Sequence, residues 1–394
     1  MTKQSPFFLA KVECPVCKTI NEFECIKVGA YLEHNHDTDF CPTNREWQDP
    51  KYQVFNPLLF FMATCSHCFY TREFRQSFKE WKSDTHFKTY HLKRVQMRHL
   101  EALAEESSVL RRLGETLEPV QSPFATAVCK FLLGIYDELL LERPRKLDLG
   151  RFFLRIAWLF REHYGRPEKV ADHSAFFAKD IEKALIKIRH SRENLDASVE
   201  NITRLVEDQF TQRSDWQRGE DFMTVHNGFK DSLFAIAEIQ KQLDDHLSTL
   251  GTHVQANKQL AGQIVSNLEA EAVPYGGASS FENFLSELKS KWDFVPLSED
   301  EALLQAIECY RDALESGHEI QPGNQQIQAT YLIAELSRRV SRHAEAKQYF
   351  NNAIKLGQQF IFDNRGDNTR TALARKILEL AVEQGKRNLS EIPA

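Results

Sequence analysis

Four cysteines in two CxxC pairs, Cys14-Pro15-Val16-Cys17 and Cys65-Ser66-His67-Cys68, have the types and spacing to bind one tetrahedral Zn²⁺. Each CxxC turn aims two sulfurs at one point. A Zn–S bond of about 2.3 Å leaves little slack, so two such turns meeting across a hairpin make a closed site. Four thiolates leave no open position for water, which marks the metal as structural and identifies no chemistry beyond it. The same pairs are compatible with disulfides or a redox centre. The chain, however, opens MTKQSPFF without a positive-then-apolar signal segment, which points to a reducing cytoplasm. Cys25 and Cys41 lie between the pairs, with His34, His36 and Asp37 nearby, and could replace a ligand or build a second site. Cys25, within Phe23-Glu24-Cys25-Ile26-Lys27-Val28, reads better as a residue facing a small strand-packed core. Cys129 and Cys309, in apolar helical stretches, read as inert core.

Other constellations are weaker. His34-Asn35-His36-Asp37-Thr38-Asp39 holds two imidazoles and two carboxylates and is the best candidate for hydrolytic metal chemistry, that is, for a metal-dependent enzyme. The plainer reading is a polar loop whose acidic pair accepts hydrogen bonds from backbone donors before Cys41. The chain has no Gly-rich phosphate loop, no nucleophile elbow and no HExxH. Between Arg72 and Arg112 run Arg75, Lys79, Lys82, Lys88, Lys93, Arg94 and Arg98, with Phe74, Phe78, Trp81, Phe87 and Tyr90 among them. Such a basic helix with aromatics could hold phosphates and make a nucleic-acid regulator. As an amphipathic helix it would simply cover the ribbon, which is the favoured reading. The formal net charge of -6 argues against non-specific nucleic-acid binding by the whole chain.

The elements that must position these residues are mostly helical. At 394 residues, 42% hydrophobic and 27% charged, the chain has the composition of a soluble protein with room for two or three domains. No segment is long and apolar enough to cross a bilayer. Ser122-Pro123 opens the apolar run Phe124 to Leu141, and Pro144 ends it. Leu149 to Tyr164 forms the next helix, closed by Gly165-Arg166-Pro167. Farther on, Ala306, Tyr310 and Ala313 recur about 40 residues later as Ala346, Phe350 and Ala353, the small-aromatic-small pattern of a tetratricopeptide repeat's second helix. Alanines there let neighbouring helices approach while the aromatic fills the gap. Ile333 and Ala334 take the large-small positions of a first helix, with Ser337 where an aromatic is usual. First helices line the concave groove of such repeats. The register therefore offers Tyr331, Glu335, Arg338 and Arg339 to a partner peptide.

Several of these stretches carry a resemblance. Cys14-Pro-Val-Cys17, Asp37-Thr-Asp39-Phe-Cys41, Asn56-Pro57-Leu58 and Cys65-Ser-His-Cys68 resemble, in order and spacing, the N-terminal pattern of the bacterial domain-of-unknown-function family 2225. Leu154-Arg-Ile-Ala-Trp158-Leu-Phe160-Arg161 and Tyr331-Leu-Ile-Ala-Glu335-Leu-Ser-Arg-Arg339 resemble its two helical signatures. The likeness covers both ends and misses the middle. It implies a zinc-ribbon-like N-terminus joined to tetratricopeptide-like helices, and no activity comes with it. Lys18 and Phe69 stand where the family usually has Gly, so each knuckle must turn with a side chain in place.

The middle segment, Glu168 to Pro296, reads as an insertion. Ile181, Leu185, Ile188, Leu195, Val199, Ile202 and Val206 alternate steps of three and four around an interruption at Arg192. From Phe229 through Leu233, Ile236, Gln240, Leu243, Leu247, Leu250, Val254, Asn257, Ala261 and Ile264 to Leu268 a heptad seam is sustained. That second helix would be a rod of roughly 60 Å. An antiparallel hairpin reversing within Gln209 to Gly228 is the simplest arrangement, and a dimeric coiled coil is the rival. Pro274 to Ser280 reads as a linker, and Ser298-Glu-Asp-Glu301 as a capping box restarting the helices.

The expectation is thus a mainly α protein with four parts. Residues 1–95 form a small β zinc ribbon with its covering helix, and 96–167 a first helical-repeat part. Residues 168–297 form the long coiled-coil helices and linker, and 298–394 tetratricopeptide-like repeats. The expected function is a cytoplasmic, non-enzymatic scaffold or adaptor with structural Zn²⁺, binding protein partners as a monomer with a hairpin arm.

Overall fold

A computed structural model describes residues 5–164, 167–212, 220–270, 275 and 277–392. The N-terminal head is three antiparallel hairpins, each a separate two-stranded sheet. Strand β1 (Phe7–Glu13) pairs with β2 (Ile20–Ile26), β3 (Tyr31–His36) with β4 (Pro42–Trp47), and β5 (Met62–Thr64) with β6 (Thr71–Glu73). The first hairpin runs from Phe7 opposite Ile26 to Glu13 opposite Ile20, which leaves residues 14–19 as its loop. The third leaves residues 65–70 as its loop. Both CxxC pairs are therefore hairpin loops, and residues 37–41 close the second hairpin between them. Alternation along β2 buries Asn21 and Cys25, so Cys25 faces the core as expected.

The basic stretch is not one helix. Two π-helical turns, Phe74–Phe78 and Phe87–His91, precede helix α1 (Leu92–Ala104). Phe74, Phe78, Trp81 and Phe87 are buried in the same cluster as Cys14, Cys65 and Cys68, and only Tyr90 is exposed among these aromatics. The Trp81 Nε1 donates to the Glu13 carbonyl at 2.8 Å. Each buried ring contributes about 2 to 3 kcal/mol of hydrophobic stabilisation, so this segment acts as the lid of a hairpin head too small to bury its own core.

Helices α2 (Val109–Glu115), α3 (Pro123–Leu139) and α4 (Lys146–Tyr164) follow. Phe131, Leu132, Leu133 and Ile135 of α3 and Phe153, Ile156 and Ala157 of α4 are fully buried, the stripe expected from their spacing. Cys129 is buried with them, and burial pushes its thiol up, out of reactive range.

Two compact units result: Met1–His163 with Ala272–Ala394, and Tyr164–Glu271. In the second, α5 (Pro167–Gln212) and α6 (Glu220–Ala270) run antiparallel. Gln240 donates to Asp196 at 2.6 Å, and Arg192, the residue interrupting the apolar run, binds both Asp196 and Asp244. Leu185, Leu247 and Val254 are buried along the seam. At about 1.5 Å per residue the 51-residue α6 is about 75 Å long, beyond the expected rod. The side chains of Asn257, Ala261, Ile264 and Leu268 lie outside the described residues. So do Gly165, Arg166, residues 213–219 of the expected reversal, and Pro274 and Gly276 of the expected linker.

Helix α7 (Phe281–Lys289) belongs to the first unit and buries Phe281, Phe284, Leu285 and Leu288. The expected insertion through residue 297 therefore overran the hairpin by about one short helix. Helices α8 (Glu299–Ser316), α9 (Asn324–Arg339), α10 (His343–Asp363) and α11 (Asn368–Glu391) complete the chain. Ser298 caps α8 by accepting from the Glu301 N–H at 3.2 Å, while the Glu301 carboxylate accepts from the Leu297 N–H at 2.8 Å. Ala306, Tyr310 and Ala313 on α8 and Ala346, Phe350 and Ala353 on α10 are all buried. Gly150 of α4 lets Tyr310 approach, its Cα substituent position lying 3.3 Å from that ring. Gly385 of α11 does the same under Phe350, at 3.7 Å from its Cβ.

Candidate metal centre and hairpin clamp

The two cysteine loops share one construction. The Cys14 N–H donates to the Thr19 carbonyl and the Lys18 N–H to the Cys14 carbonyl; in the other loop Cys65 donates to Tyr70 and Phe69 to Cys65. These bonds turn the chain so that both sulfurs of a pair face inward, and they force the fifth residue to positive φ: 66° for Lys18 and 63° for Phe69. Gly would adopt that conformation freely, whereas a side chain costs about 1 kcal/mol. Each residue has compensation. Lys18 Nζ donates to the Pro15 carbonyl at 2.9 Å and lies 4.4 Å over the Trp81 ring. Phe69 packs directly on the backbone of Gly114, where any Cβ would fall 2.1 Å from the ring.

The result is a four-sulfur cluster. Cys14 Sγ lies 3.7 Å from Cys68 Sγ, Cys17 Sγ lies 3.5 Å from Cys65 Sγ, and all four sulfurs are within 4.8 Å of one another. A tetrahedron with bonds of about 2.3 Å has edges of about 3.8 Å, so the spacing suits one metal ion. Cys14, Cys65 and Cys68 are fully buried. Hydrogen bonding from Cys14 holds the Cys65 thiol far below its usual range, while the same crowding drives Cys14 and Cys68 upward. A cation stabilises all four thiolates together.

Neutral and charged partners orient the cluster from outside. Asn21 Nδ2 donates to Cys65 Sγ at 3.4 Å, and its Oδ1 accepts from the Ser66 N–H at 2.9 Å. His99, fully buried, bridges the Cys68 carbonyl at 2.7 Å and Asp137 at 2.6 Å, and Asp137 also accepts from the Thr71 N–H at 2.6 Å. Such second-layer contacts fix the ligands and shape the field at a metal. His99 and Asp137 were not singled out from sequence, because nothing local marks a histidine that reaches a carbonyl 31 residues away. Cys25 and Cys41 stand outside the cluster. Burial pushes Cys41 up to about 12, making it a poor ligand and nucleophile.

The second hairpin's loop does something else. Asp39 is fully buried and accepts from Arg161 at 2.7 and 3.1 Å and from Trp158 Nε1 at 3.1 Å. Asp37 binds Arg161 at 3.1 Å and Arg339 at 2.7 Å. The Thr38 carbonyl accepts from the Tyr331 hydroxyl at 2.8 Å, and its own hydroxyl meets Glu335 at 2.5 Å and Arg339 at 2.8 Å. Arg338 reaches Glu335 at 2.8 Å and Glu391 at 2.8 Å. The acidic pair also shapes its own loop, through the Thr38 N–H on Asp37 at 2.7 Å and the Cys41 N–H on Asp39 at 3.2 Å. Burial opposes the Asp37 charge, but the Thr38 N–H and the two guanidiniums outweigh it and hold its carboxyl below the usual range.

Two expectations change here. Tyr331, Glu335, Arg338 and Arg339 do not line a free groove: Tyr331 and Glu335 are fully buried, and three of the four hold the chain's own 37–41 loop. Helical register places side chains on a face but does not say what covers it. The hydrolytic metal loop is likewise replaced, since Asp37 and Asp39 are bound by arginines while His34 and His36 sit exposed on β3, near Glu46 and Glu33. Among the described residues, the cysteine cluster is the group with metal-binding geometry.

A helical body carrying a hairpin head that resembles a zinc ribbon, pinned by a clamp of aspartates and arginines, is the class of molecule defined here. The chain belongs to the family described as an uncharacterized protein conserved in bacteria, DUF2225, whose model matches residues 7–205 and 286–367. The match runs through most of α5, so the part outside it is narrower than the expected insertion. No curated protein and no solved structure matches the chain. The residues that carried the resemblance meet in space: the 37–41 loop, Trp158 with Arg161, and Tyr331 with Arg339 form the clamp. Among the described residues no helix is long and apolar enough to cross a membrane.

Proposed function

We propose that this protein is a cytoplasmic, non-enzymatic adaptor in which structural Zn²⁺ on Cys14, Cys17, Cys65 and Cys68 shapes the head and helices bind protein partners. The observation that carries this reading is the surface of the α5–α6 hairpin. Phe234 is 83% exposed, Ile239 65% and Leu205 64%, although Leu185, Leu247 and Val254 already fill the seam. Such side chains on long helices suit an amphipathic partner helix that lies along them and completes a bundle, in the manner of a coiled coil. The small-aromatic-small positions of α8 and α10 support tetratricopeptide-like packing in the same chain. A four-sulfur site with three of its cysteines fully buried supports a structural role for the metal, and zinc suits four sulfurs.

In-cell crosslinking of the intact chain and of a Phe234→Glu/Ile239→Glu variant tests the adaptor, with light scattering on both. A discrete protein partner lost in the variant, with helicity unchanged and a monomer in solution, is the expected result. An identical crosslinked set would remove the surface from consideration, and a dimer abolished by the variant would assign it to a second copy. Elemental analysis should return about one zinc per chain, and iron in its place would overturn the metal assignment.

A further inference from the structure

A cavity of about 700 Å³ opens in the first unit between β2, β3, the Asn56–Phe61 segment and helix α4. Tyr31, Phe60, Phe74 and Trp158 give it flat apolar walls. Lys27, Arg45, Arg75 and Arg155 line it against only two carboxylates, Glu33 and Glu73. Those carboxylates have other partners. Glu33 lies 3.5 Å from Arg45, and Glu73 lies 3.5 Å from Arg151, which stands outside the cavity lining. Arg45 also binds Glu162 at 2.7 Å, and Lys27 Nζ donates to the Ser5 carbonyl at 2.8 Å.

Arg155 and Arg75 remain. The Arg155 guanidinium sits 4.4 Å over the Phe61 ring and donates to the Arg151 carbonyl at 3.1 Å. Among the described residues, no carboxylate lies within ion-pair distance of it or of Arg75. Burial, with Arg151 beside it, lowers Arg155 to about 10, which still leaves it charged at neutral pH. A partly buried cation that Glu73 and Asp148 act on only from beyond ion-pair distance is left under-neutralised until an anion arrives to pair with it.

We propose that this cavity binds a small organic anion with a flat apolar body, its carboxylate or phosphate taken by Arg155 and Arg75 and its body by the surrounding rings. Guanidinium offers the forked donors such groups accept, and the aromatic walls remove the body from water. The site is independent of the metal and of the proposed partner helix.

The test titrates the full chain with anilinonaphthalenesulfonate, a fluorescent aromatic sulfonate, beside its uncharged analogue N-phenylnaphthylamine. Arg155→Met should weaken the sulfonate about tenfold while moving the neutral probe by less than about twofold, because only the charge pairing is removed. Phenyl phosphate and benzoate should each displace the sulfonate, and the one acting at lower concentration identifies the head group. Should Arg155→Met perturb the circular dichroism spectrum, Arg75→Gln at the exposed rim supplies the reading, with about a threefold loss expected. Unchanged sulfonate affinity in the folded variant, or equal displacement by benzyl alcohol, would overturn the site.

Discussion

Loop 14–19 and loop 37–41 both close two-stranded hairpins, and both hold a non-glycine residue at positive φ, Lys18 and Phe40 at 66° each. From that shared construction they diverge. The first presents sulfurs that converge with those of loop 65–70, so two short local turns suffice to assemble a cluster of metal-binding geometry. The second presents carboxylates whose charges are met by Arg161 and Arg339, more than a hundred and about three hundred residues away. A cysteine cluster of metal-binding geometry draws the two loops of the hairpin head together, whereas a charged clamp ties that head to the helical body. The clamp depends on burial, because exposed ion pairs of the same kind contribute little.

Removing the metal should have the largest effect and act on the head. Cys14→Ser with Cys65→Ser is expected to eliminate bound zinc and unfold the three hairpins, a loss on the order of 10 kcal/mol for a structural zinc fold. Elemental analysis and limited proteolysis read both consequences, and full metal occupancy in this variant would refute the ligand set.

The clamp should fail separately. Arg161→Met leaves Asp39 buried without its main partner, which costs about 3 to 5 kcal/mol. Hydrogen exchange should rise at residues 37–41 while zinc content stays near one per chain. Simultaneous loss of zinc would show that the two loops are one cooperative site.

A smaller, pH-dependent difference should separate the loops further. The Asp37 carboxyl is held below its ordinary range, so its contribution is present above the unfolded value near about 4 and disappears as pH falls through the lower folded value. Relative to wild type, Asp37→Asn should lose about 1 kcal/mol at pH 7 and lose nothing at acid pH, where the wild-type carboxyl is itself protonated. Thermal melts across pH 3 to about 7 give the comparison. A constant offset at every pH would mean that the loss is one of packing.

Lys18→Gly should move stability least. Relief of positive φ is worth about 1 kcal/mol, and loss of the Trp81 contact takes back about 0.5 to 1 kcal/mol, so the net change stays within about 1 kcal/mol. Lys18→Val should be clearly worse, since a β-branched residue tolerates positive φ poorly. Equal melting temperatures for the Gly and Val variants would show that loop geometry does not limit the site.

The convergence of the four cysteines was readable because CxxC spacing is local: two sulfurs three residues apart face one point only in a tight turn. The buried stripes of α3 and α4 and the apolar seam of α5 and α6 were readable for a similar reason, namely periodic apolar spacing, whereas the covering aromatics Phe74, Phe78 and Trp81 were expected on one helix and sit instead on a π-helical turn and just after it. Register also placed Tyr331, Glu335 and Arg339 correctly on one face of α9. It misjudged their role, since a charged and aromatic stripe has the same spacing whether it meets a partner or the chain's own loop.

Sequence alone determined that this is a mainly helical chain with a four-cysteine head, because both features rest on spacings of a few residues. Tertiary structure decided what those helices enclose. It brought Asp39 to Arg161, His99 to the Cys68 carbonyl, and Arg155 over the Phe61 ring, and the physical reason is common to all three. A buried charge or donor is defined by the partner it meets, and that partner is set by long-range packing, which leaves no local mark on the residues that take part.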